Sequence, residues 1–244
     1  MLEGRRVLIT GGGSGAGADL ARGFAAAGAK VVIAGRRREA LEAVAAGIGA
    51  QVVVADITDE ASVATMFGVA GPCDIVIANA GAADSAPFLR TTLAQWNAML
   101  AVNLTGVFLT LQAGLRQMPG WGRLISVAST AGLKGYAKIA PYVAAKHGVV
   151  GLTRSLALEV AKGPVTVNAL CPGFLDTPMT DRSVAVIMEK TGRSEAEARK
   201  ALEGMNPQGR LIQPAEVTAA ALWLCGPGSE GINGQAISIA GGEV

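Results

Sequence analysis

Short, uninterrupted apolar runs alternate along the chain with longer stretches whose apolar residues recur at a helical period. The short runs are rich in Val and Ile and lack polar alternation, which is typical of parallel strands covered on both faces. The predicted strands are Val7–Ile9, Val31–Ile33, Val52–Val54, Ile75–Ile77, Leu124–Val127, Val165–Val167 and Ala236–Ile239. The predicted helices cover about residues 15–28, 37–48, 59–70, 91–117, 140–162 and 214–225. This alternation predicts an α/β protein with a doubly wound, seven-stranded parallel sheet flanked by helices on both faces.

One irregular insert interrupts the alternation. It covers about residues 176–210, between the sixth strand and the last helix, and it is richer in charge than its surroundings. A segment that follows the carboxyl end of a strand in an open α/β sheet is placed to cover a ligand site. No linker-like composition divides the chain. We therefore expect residues 1–244 to form one domain, with the insert as a substrate lid.

The composition excludes several classes of function. With 21 basic and 19 acidic residues, the net charge of +2 leaves little surplus for nucleic-acid phosphates. Cys73, Cys171 and Cys225 lie far apart and His147 is the only histidine, so we expect neither disulfides nor a metal site. The apolar stretch from Met99 to Leu115 is shorter than the ~20 residues of a membrane span and contains polar residues, which predicts a buried helix. We expect a cytoplasmic protein without a nucleic-acid or membrane partner.

A glycine-rich loop joins the first strand to the first helix. A pyrophosphate packs against backbone N–H groups at such a helix N-terminus, where Cβ atoms would block its approach. The loop therefore predicts the dinucleotide site of a Rossmann fold, with a tight turn that binds no ligand as the alternative. No Gly-Lys-Ser/Thr sequence follows, so the loop is not that of a nucleoside-triphosphate-binding protein. The predicted cofactor contacts in the loop are Thr10, Gly11, Gly13, Ser14, Gly15, Ala16 and Gly17.

The end of the second strand indicates which dinucleotide is preferred. Proteins that bind NAD place an acid there for the ribose 2′-hydroxyl, whereas this chain has Gly35 followed by Arg36, Arg37 and Arg38. Guanidinium groups bind phosphate in a bidentate manner. We therefore predict a preference for NADP(H), with Arg36 as the main contact of the 2′-phosphate and Arg37 beside it. NAD(H) is also expected to work, and a solvated basic helix start is the alternative interpretation.

Candidate catalytic residues cluster in the middle of the chain. Tyr142 and Lys146 are four residues apart, so they share one face of a predicted helix. A phenol has a pKa near 10, and a cation one turn away favours its ionised form. Ser129 follows the fifth strand, and Asn103 places an amide within an apolar helix, where it needs hydrogen-bond partners. Each feature alone is also compatible with an ordinary structural role.

Taken together, these motifs resemble those of single-domain short-chain dehydrogenase/reductases (SDRs). The resemblance covers essentially the whole chain, and the motifs occur in the family's order. They are Thr10-Gly11-x-x-x-Gly15-x-Gly17, Asp56, Asn79-Ala80-Gly81, Asn103, Ser129, Tyr142-x-x-x-Lys146 and Pro172-Gly173. Ala16, Ala78 and Ala128 depart from the usual pattern of the family.

The resemblance implies hydride transfer between a cofactor and a ketone or secondary alcohol. Ser129 would hold the substrate carbonyl, and Tyr142 would exchange a proton with its oxygen. Lys146 would lower the pKa of Tyr142 and bind the nicotinamide ribose, and Asn103 would support a water that passes protons to Lys146. The resemblance also implies that Asp56 reads the adenine.

The remaining cofactor contacts follow from the same resemblance. Asn79 and Gly81 would line the adenosine ribose, and Thr177 would hold the nicotinamide carboxamide. The other predicted contacts are Ile57, Ala80, Pro172, Gly173 and Leu175.

The sequence leaves the substrate open. The chain resembles reductases of 3-oxoacyl thioesters and polyketide ketoreductases. The segment from Arg116 to Arg123 has only two arginines, separated by apolar residues, so a CoA thioester, a free ketone or a keto acid is as compatible as a carrier-bound substrate. The alternatives are an NAD-dependent secondary-alcohol or hydroxy-acid dehydrogenase and a non-catalytic dinucleotide-binding regulator. A sugar epimerase of the SDR type is disfavoured, because no segment could form a sizeable C-terminal substrate domain.

The predicted helices at 91–117 and 140–162 indicate self-association. Only 16% of the residues are charged, and these two helices carry many apolar residues. The resemblance implies that they pair across a two-fold axis, with the last strand and helix forming a second interface. We therefore expect a homotetramer.

Overall fold

A seven-stranded parallel sheet forms the centre of the computed structural model, which describes residues 1–244. The strands follow the order β3-β2-β1-β4-β5-β6-β7 across the sheet, with these bounds: β1 Arg6–Thr10, β2 Lys30–Gly35, β3 Gln51–Val54, β4 Ile75–Ala78, β5 Gly122–Val127, β6 Val165–Pro172 and β7 Ala236–Ile239. The chain starts at the centre, builds outward to β3 and then returns to place β4 on the other side of β1. The crevice between β1 and β4 is therefore the topological switch point, where open α/β sheets bind their ligands. The predicted doubly wound sheet is confirmed.

Helices cover both faces of this sheet. They are α1 Gly15–Ala26, α2 Arg38–Ala45, α3 Glu60–Ala70, α4 Leu93–Leu100, α5 Gly106–Gln117, α6 Ala140–Val160, α7 Pro178–Thr191, α8 Glu195–Glu203 and α9 Pro214–Cys225. Successive strand residues point to opposite faces, so Leu8 belongs to one core and Ile9 to the other. On the first face Leu8 shares its core with Leu111 of α5, and on the second Ile9 shares its core with Leu20 of α1. The strand centres are therefore apolar on both faces.

The predicted helix at 91–117 is confirmed as a continuous helical run, Leu93–Gln117, which a π-helical turn divides into α4 and α5. Thr92 caps α4 by accepting a hydrogen bond from the Gln95 backbone N–H, which starts the helix at Leu93. Between α4 and α5 lies a π-helical turn, Ala101–Thr105. A π-turn of this kind is often found at a functional site, and here it carries Asn103.

The run from Leu93 to Gln117 is long and apolar enough to cross a membrane by length and composition, with a mean hydropathy of 1.6 in an 18-residue window. About a third of that window (33%) is buried. Its buried side packs on the sheet, where Gly114 lies so close to Val76 that a Cβ would come within 2.8 Å of the valine Cγ2. Leu93 and Phe108 are exposed on the run. The buried helix that we predicted is thus buried on one side only.

The insert at 176–210 is mostly helical, which corrects the prediction of an irregular segment. It contains α7 and α8, which enclose a small apolar cluster of their own around Val184, Ala198 and Leu202. Ser194 caps α8 in a capping box with Glu197. The charges that made the segment look irregular therefore lie at helix ends and on solvated helix faces.

Candidate active site

The glycine-rich loop leads from β1 into α1 at the carboxyl edge of the sheet. The N-cap residue of α1, Ser14, makes no side-chain cap, and no acidic residue lies in the first helical turn. The first N–H groups of a helix have no partner within it, and the helix dipole is positive at this end. Neither a side-chain cap nor an acidic residue of the first turn neutralises this end, so it suits the pyrophosphate of a dinucleotide.

Glycine is required where the loop passes close to β4. Gly11 and Gly15 have φ angles of +70° and +52°, which favour glycine. A Cβ on Gly11 would lie 2.9 Å from the Ala80 Cα, and one on Gly17 would lie 2.6 Å from the Asn79 amide nitrogen. The predicted loop and the predicted Asn79-Ala80-Gly81 segment therefore meet at the switch point.

Hydrogen bonds between Thr10 and the end of β4 hold the glycine-rich loop against the Asn79-Ala80-Gly81 segment. The Thr10 Oγ1 accepts from the backbone N–H groups of Asn79 and Ala80, both at 3.1 Å. The Asn79 side-chain amide donates to the Thr10 carbonyl oxygen at 2.9 Å. Both polar side chains are engaged within the protein, which gives them a supporting position under the cofactor crevice.

The arginines after β2 point to two sides of the crevice. The Arg37 guanidinium donates to the Ser14 hydroxyl at 3.3 Å, next to the N-terminus of α1. Hydrogen bonds from the backbone N–H and hydroxyl of Thr58 lower the pKa of Asp56, and the nearby charge of Arg36 lowers it further. Arg36 thus lies on the side of the predicted adenine-binding acid, and Arg37 lies on the side of the phosphate loop.

The loop after β6 completes this crevice. Thr177 lies against Gly15, where a Cβ would be 3.3 Å from the threonine Cγ2. Pro172 ends β6, and Gly173 and Leu175 lie between it and Thr177. Ile57, in contrast, is buried in the core and packs on Gly106. The structure therefore brings the Pro172–Thr177 segment to the phosphate loop and places Ile57 beneath the site.

The structure places Ser129 and Tyr142 side by side at the carboxyl edge. Ser129 follows β5, and its hydroxyl accepts a hydrogen bond from the Ala131 backbone N–H at 3.1 Å. Tyr142 lies in the first turn of α6. Burial raises the pKa of Tyr142, and hydrogen bonding with the Ser129 hydroxyl acts in the opposite direction. Two hydroxyl groups thus converge where a carbonyl oxygen could bind both.

Lys146 lies one helical turn after Tyr142 and is buried, with 3% of its surface exposed. Its Nζ donates to the Val127 carbonyl oxygen at 2.8 Å and lies 5.6 Å from the centroid of the Tyr142 ring. Burial lowers the pKa of Lys146 to about 8. The ammonium is therefore charged at neutral pH but is held in an environment that disfavours its charge.

The Asn103 amide is fully buried and has partners on both sides. Its nitrogen donates to the carbonyl oxygens of Ala82 and Met99 at 2.8 and 3.1 Å, and its oxygen accepts from the Ala82 N–H at 3.2 Å. Gly81 lies between the Asn103 amide and Lys146. A Cβ on Gly81 would be 2.8 Å from the Asn103 oxygen and 3.8 Å from the Lys146 Nζ. The four predicted catalytic residues are therefore assembled in one place.

Sequence reasoning missed a second polar group beside this set, which we name the Glu243 cluster: Thr130, Lys134, Tyr136 and Glu243. The Tyr136 hydroxyl donates to the Glu243 Oε1 and lies 2.6 Å from the Thr130 hydroxyl. The Lys134 Nζ is 3.0 Å from the same carboxylate oxygen. One signal was available, because Tyr136 and Tyr142 are the only two tyrosines of the chain and lie close together.

Comparison with known proteins identifies the family. The family model described as enoyl-(acyl carrier protein) reductase matches residues 11–243. The 3-oxoacyl-[acyl-carrier-protein] reductase of Aquifex aeolicus is 36% identical, over 99% of this chain and 98% of its own length. D-beta-hydroxybutyrate dehydrogenase of Cupriavidus necator is also 36% identical, over 100% and 99%. A crystal structure of actinorhodin polyketide ketoreductase with NADPH superposes with a TM-score of 0.90 at 35% identity, covering 98% of this chain and 97% of that one.

This chain is a short-chain dehydrogenase/reductase. As such it is an oxidoreductase that interconverts a ketone and a secondary alcohol with a nicotinamide dinucleotide. The residues of this SDR that converge at the carboxyl edge of the sheet have the chemistry that this reaction needs.

Proposed function

We propose that this SDR reduces a ketone to a secondary alcohol with NADPH as its preferred cofactor. The observation that carries the proposal is the buried Lys146 one turn behind the Ser129 and Tyr142 hydroxyls. A structural lysine needs no such neighbours, whereas proton transfer to a carbonyl oxygen needs an acid whose anion is stabilised. The cofactor, when bound, supplies the hydride.

Each polar side chain has a defined task in this reaction. The Ser129 and Tyr142 hydroxyls bind the carbonyl oxygen, which orients the carbonyl carbon towards the cofactor crevice. Tyr142 gives its hydroxyl proton to that oxygen, and the Lys146 ammonium stabilises the phenolate left behind. With a pKa of about 8, Lys146 carries this charge at neutral pH. The Asn103 side chain fixes the Ala82 backbone by two hydrogen bonds. It thereby also positions Gly81, which lies between the Asn103 amide and the Lys146 ammonium.

The proposed preference for NADPH rests on the end of β2. No acid is present there to repel a 2′-phosphate, and Arg36 lies close enough to Asp56 to lower its pKa. Arg37 lies near the other side of the same space, at Ser14. Two guanidinium groups around one small region suit a phosphate better than a ribose hydroxyl.

For the substrate we propose a 3-oxoacyl thioester or a related ketone. The Aquifex relative and the ketoreductase structure are both named for such substrates. An NAD-dependent secondary-alcohol or hydroxy-acid dehydrogenase is the second candidate, and the name of the Cupriavidus relative favours it. In both cases we propose that the insert with α7 and α8 covers the substrate.

We propose that the SDR is a homotetramer in the cytoplasm. Leu93 and Phe108 are exposed on the apolar run, Leu158 on α6 is 80% exposed, and Trp223 on α9 is 51% exposed. Contact between subunits would remove these surfaces from water. The three cysteines are buried and free, in agreement with a reducing compartment. Sedimentation at micromolar concentration tests the assembly, and a monomer would contradict it.

The reaction is tested by following the absorbance of NADPH and NADH with acetoacetyl thioesters and a panel of ketones. We expect oxidation of NADPH by at least one substrate, and loss of that activity in Tyr142→Phe. The variant should still bind NADPH, which separates a lost proton donor from a lost cofactor site. If the folded wild-type protein binds NADPH but oxidises neither cofactor with any substrate, it is a binding protein and our proposal is wrong.

A further inference from the structure

The Glu243 carboxylate is buried beside the catalytic residues, but only one of its two oxygens has hydrogen-bond partners. Its side chain is 2% exposed, although its backbone lies near the surface. Oε1 accepts from the Tyr136 hydroxyl and pairs with the Lys134 ammonium. Oε2 is also shielded from solvent but has no hydrogen-bond partner. A buried carboxylate oxygen without a donor is costly, so a donor is expected to fill this place in the working protein.

The position of Oε2 places this donor in the active-site cleft. Oε2 lies beside Gly173, where a Cβ would be only 3.1 Å away, so a side chain at this position would crowd the carboxylate. Gly173 belongs to the loop that carries Thr177 to the phosphate loop. Tyr136, the partner of Oε1, has its hydroxyl 2.6 Å from that of Thr130, and Thr130 directly follows Ser129 in the chain. The carboxylate therefore borders the space beside the proton-donating tyrosine.

The charges around the Glu243 carboxylate determine which kind of hydrogen-bond donor Oε2 can accept from. Lys134 already balances the negative charge of Glu243, at 3.0 Å from Oε1. A second cation would leave an uncompensated positive charge in a buried site, whereas a neutral hydroxyl would satisfy Oε2 without changing the charge. A carboxylate or phosphate on the substrate would be repelled. The unpaired Oε2 thus fits a hydroxyl group as its donor.

We propose that Glu243 is a specificity-determining residue of this SDR, and that its Oε2 accepts a hydrogen bond from a hydroxyl group of the substrate. The preferred substrates are then hydroxyketones, which carry this hydroxyl in addition to the carbonyl that Ser129 and Tyr142 bind. This inference rests on the proposed ketone reduction. A site built to bond a substrate hydroxyl discriminates strongly against the analogue without it, because its own buried polar atom is left unpaired.

The test compares butanone with its monohydroxy derivatives and with the methyl ethers of those derivatives, using NADPH. An ether keeps the oxygen but loses the donated hydrogen. We expect kcat/KM of the wild-type protein for at least one hydroxyketone to exceed that for butanone and for the matched ether by about 10- to 100-fold, which is the worth of a hydrogen bond to a charged group.

The variant Glu243→Met has a side chain of similar length without an acceptor, so this preference should disappear while butanone is still reduced. Val244→Ala is the matched control, because Val244 is the next residue and is exposed, and it should keep the wild-type preference. The wild-type comparison of hydroxyketone and ether stands on its own even if Glu243→Met does not fold.

Two results would overturn the inference and leave the proposed function intact. One is equal kcat/KM of the wild-type protein for the hydroxyketones, ethers and butanone. The other is reduction of an acetoacetyl thioester without reduction of any hydroxyketone. If Glu243→Met lowers kcat/KM for every substrate by the same factor, Glu243 only holds the Ser129–Tyr136 segment in place, and the specificity role is also refuted. Failure of all substrates with both cofactors would instead refute the proposed function.

Discussion

The Lys146 Nζ lies 5.6 Å from the centre of the Tyr142 ring while it donates a hydrogen bond to the Val127 carbonyl oxygen at the end of β5. The hydrogen bond to β5 thus fixes the Lys146 ammonium beside the Tyr142 phenol. Its position does not depend on the flexible lysine side chain alone. Ser129 follows the same strand two residues later. One strand end therefore sets the positions of both groups that act on Tyr142.

Replacement of Tyr142 by Phe should lower kcat by about 10²- to 10⁴-fold, because general acids contribute about this much to the rate of a reaction. Phenylalanine keeps the aromatic ring, so we expect the Kd of NADPH and the free energy of unfolding to change little. Single-turnover and fluorescence-binding measurements would separate these effects. Retention of more than about a tenth of the wild-type kcat would remove Tyr142 from the role of acid.

The Lys146→Met variant should be more stable than the wild-type protein at pH 7. Burial lowers the pKa of Lys146 to about 8 in the folded state, whereas an unfolded lysine has a pKa of about 10.4. Below pH 8 both states are protonated and the full cost of burying the charge is present. Between pH 8 and about 10.4 only the unfolded state keeps the proton, so the stability of the wild-type protein rises with pH.

We expect Lys146→Met to raise the free energy of unfolding at pH 7 by about 1–3 kcal/mol, after allowing for the lost bond to Val127. The difference should shrink as the pH rises above 8. Urea unfolding of both proteins across this pH range measures the difference in the free energy of unfolding. A difference that does not change with pH would show that the buried ammonium is not its cause.

Arg36→Asp should weaken NADPH binding by about 10- to 100-fold, because it removes one charge-assisted hydrogen bond to the phosphate. Binding of NADH should change little. Arg38→Asp is the matched control, since Arg38 is exposed and forms a helical pair with Glu42 at 3.4 Å. Titration of the two cofactors with each variant decides the matter. An equal effect of both substitutions on NADPH would mean that Arg36 is a solvated helix-start residue.

Lys138 has a φ angle of +68° and is the only residue other than glycine with a positive φ. Its carbonyl oxygen accepts a hydrogen bond from the Ala86 N–H at 2.8 Å, which holds the chain in this strained conformation just before Tyr142. Lys138→Gly should raise the free energy of unfolding by about 0.5–1 kcal/mol. The neighbouring Ala137→Gly should lower it, because Ala137 has no strain to relieve. Urea denaturation distinguishes the two, and destabilisation by Lys138→Gly would show that the strain is negligible.

The sheet could be predicted from the sequence because burial on both faces leaves a plain signal in runs such as Val7–Ile9. The prediction for β6 ended at Val167, but the strand continues to Pro172. Asn168 interrupted the apolar pattern, yet its amide is satisfied by the Ile232 carbonyl oxygen and the Gln235 N–H. Because these partners lie over 60 residues away, no local pattern could indicate that the strand continues.

Motif order was enough to predict which residues meet at the candidate active site, but not what surrounds them. The π-turn at Asn103 depends on the Ala82 backbone, which belongs to a different segment. Glu243 reaches Tyr136 across 107 positions of the chain, and it follows a strand end with no recognisable spacing. Contacts of this kind become visible only when the fold brings distant segments together.

Strand β1 lies inside the sheet, and this position bears on how the protein folds during synthesis. The first strands to leave the ribosome, β1 to β3, can pair at once, but one edge of β1 stays open until β4 is made. From β5 onward, each new strand joins the edge that the preceding strand has just exposed. An open strand edge invites pairing with other chains. The nascent chain therefore carries a growing edge in addition to the lasting edge at β3, and each strand made after β4 covers the growing edge left by its predecessor.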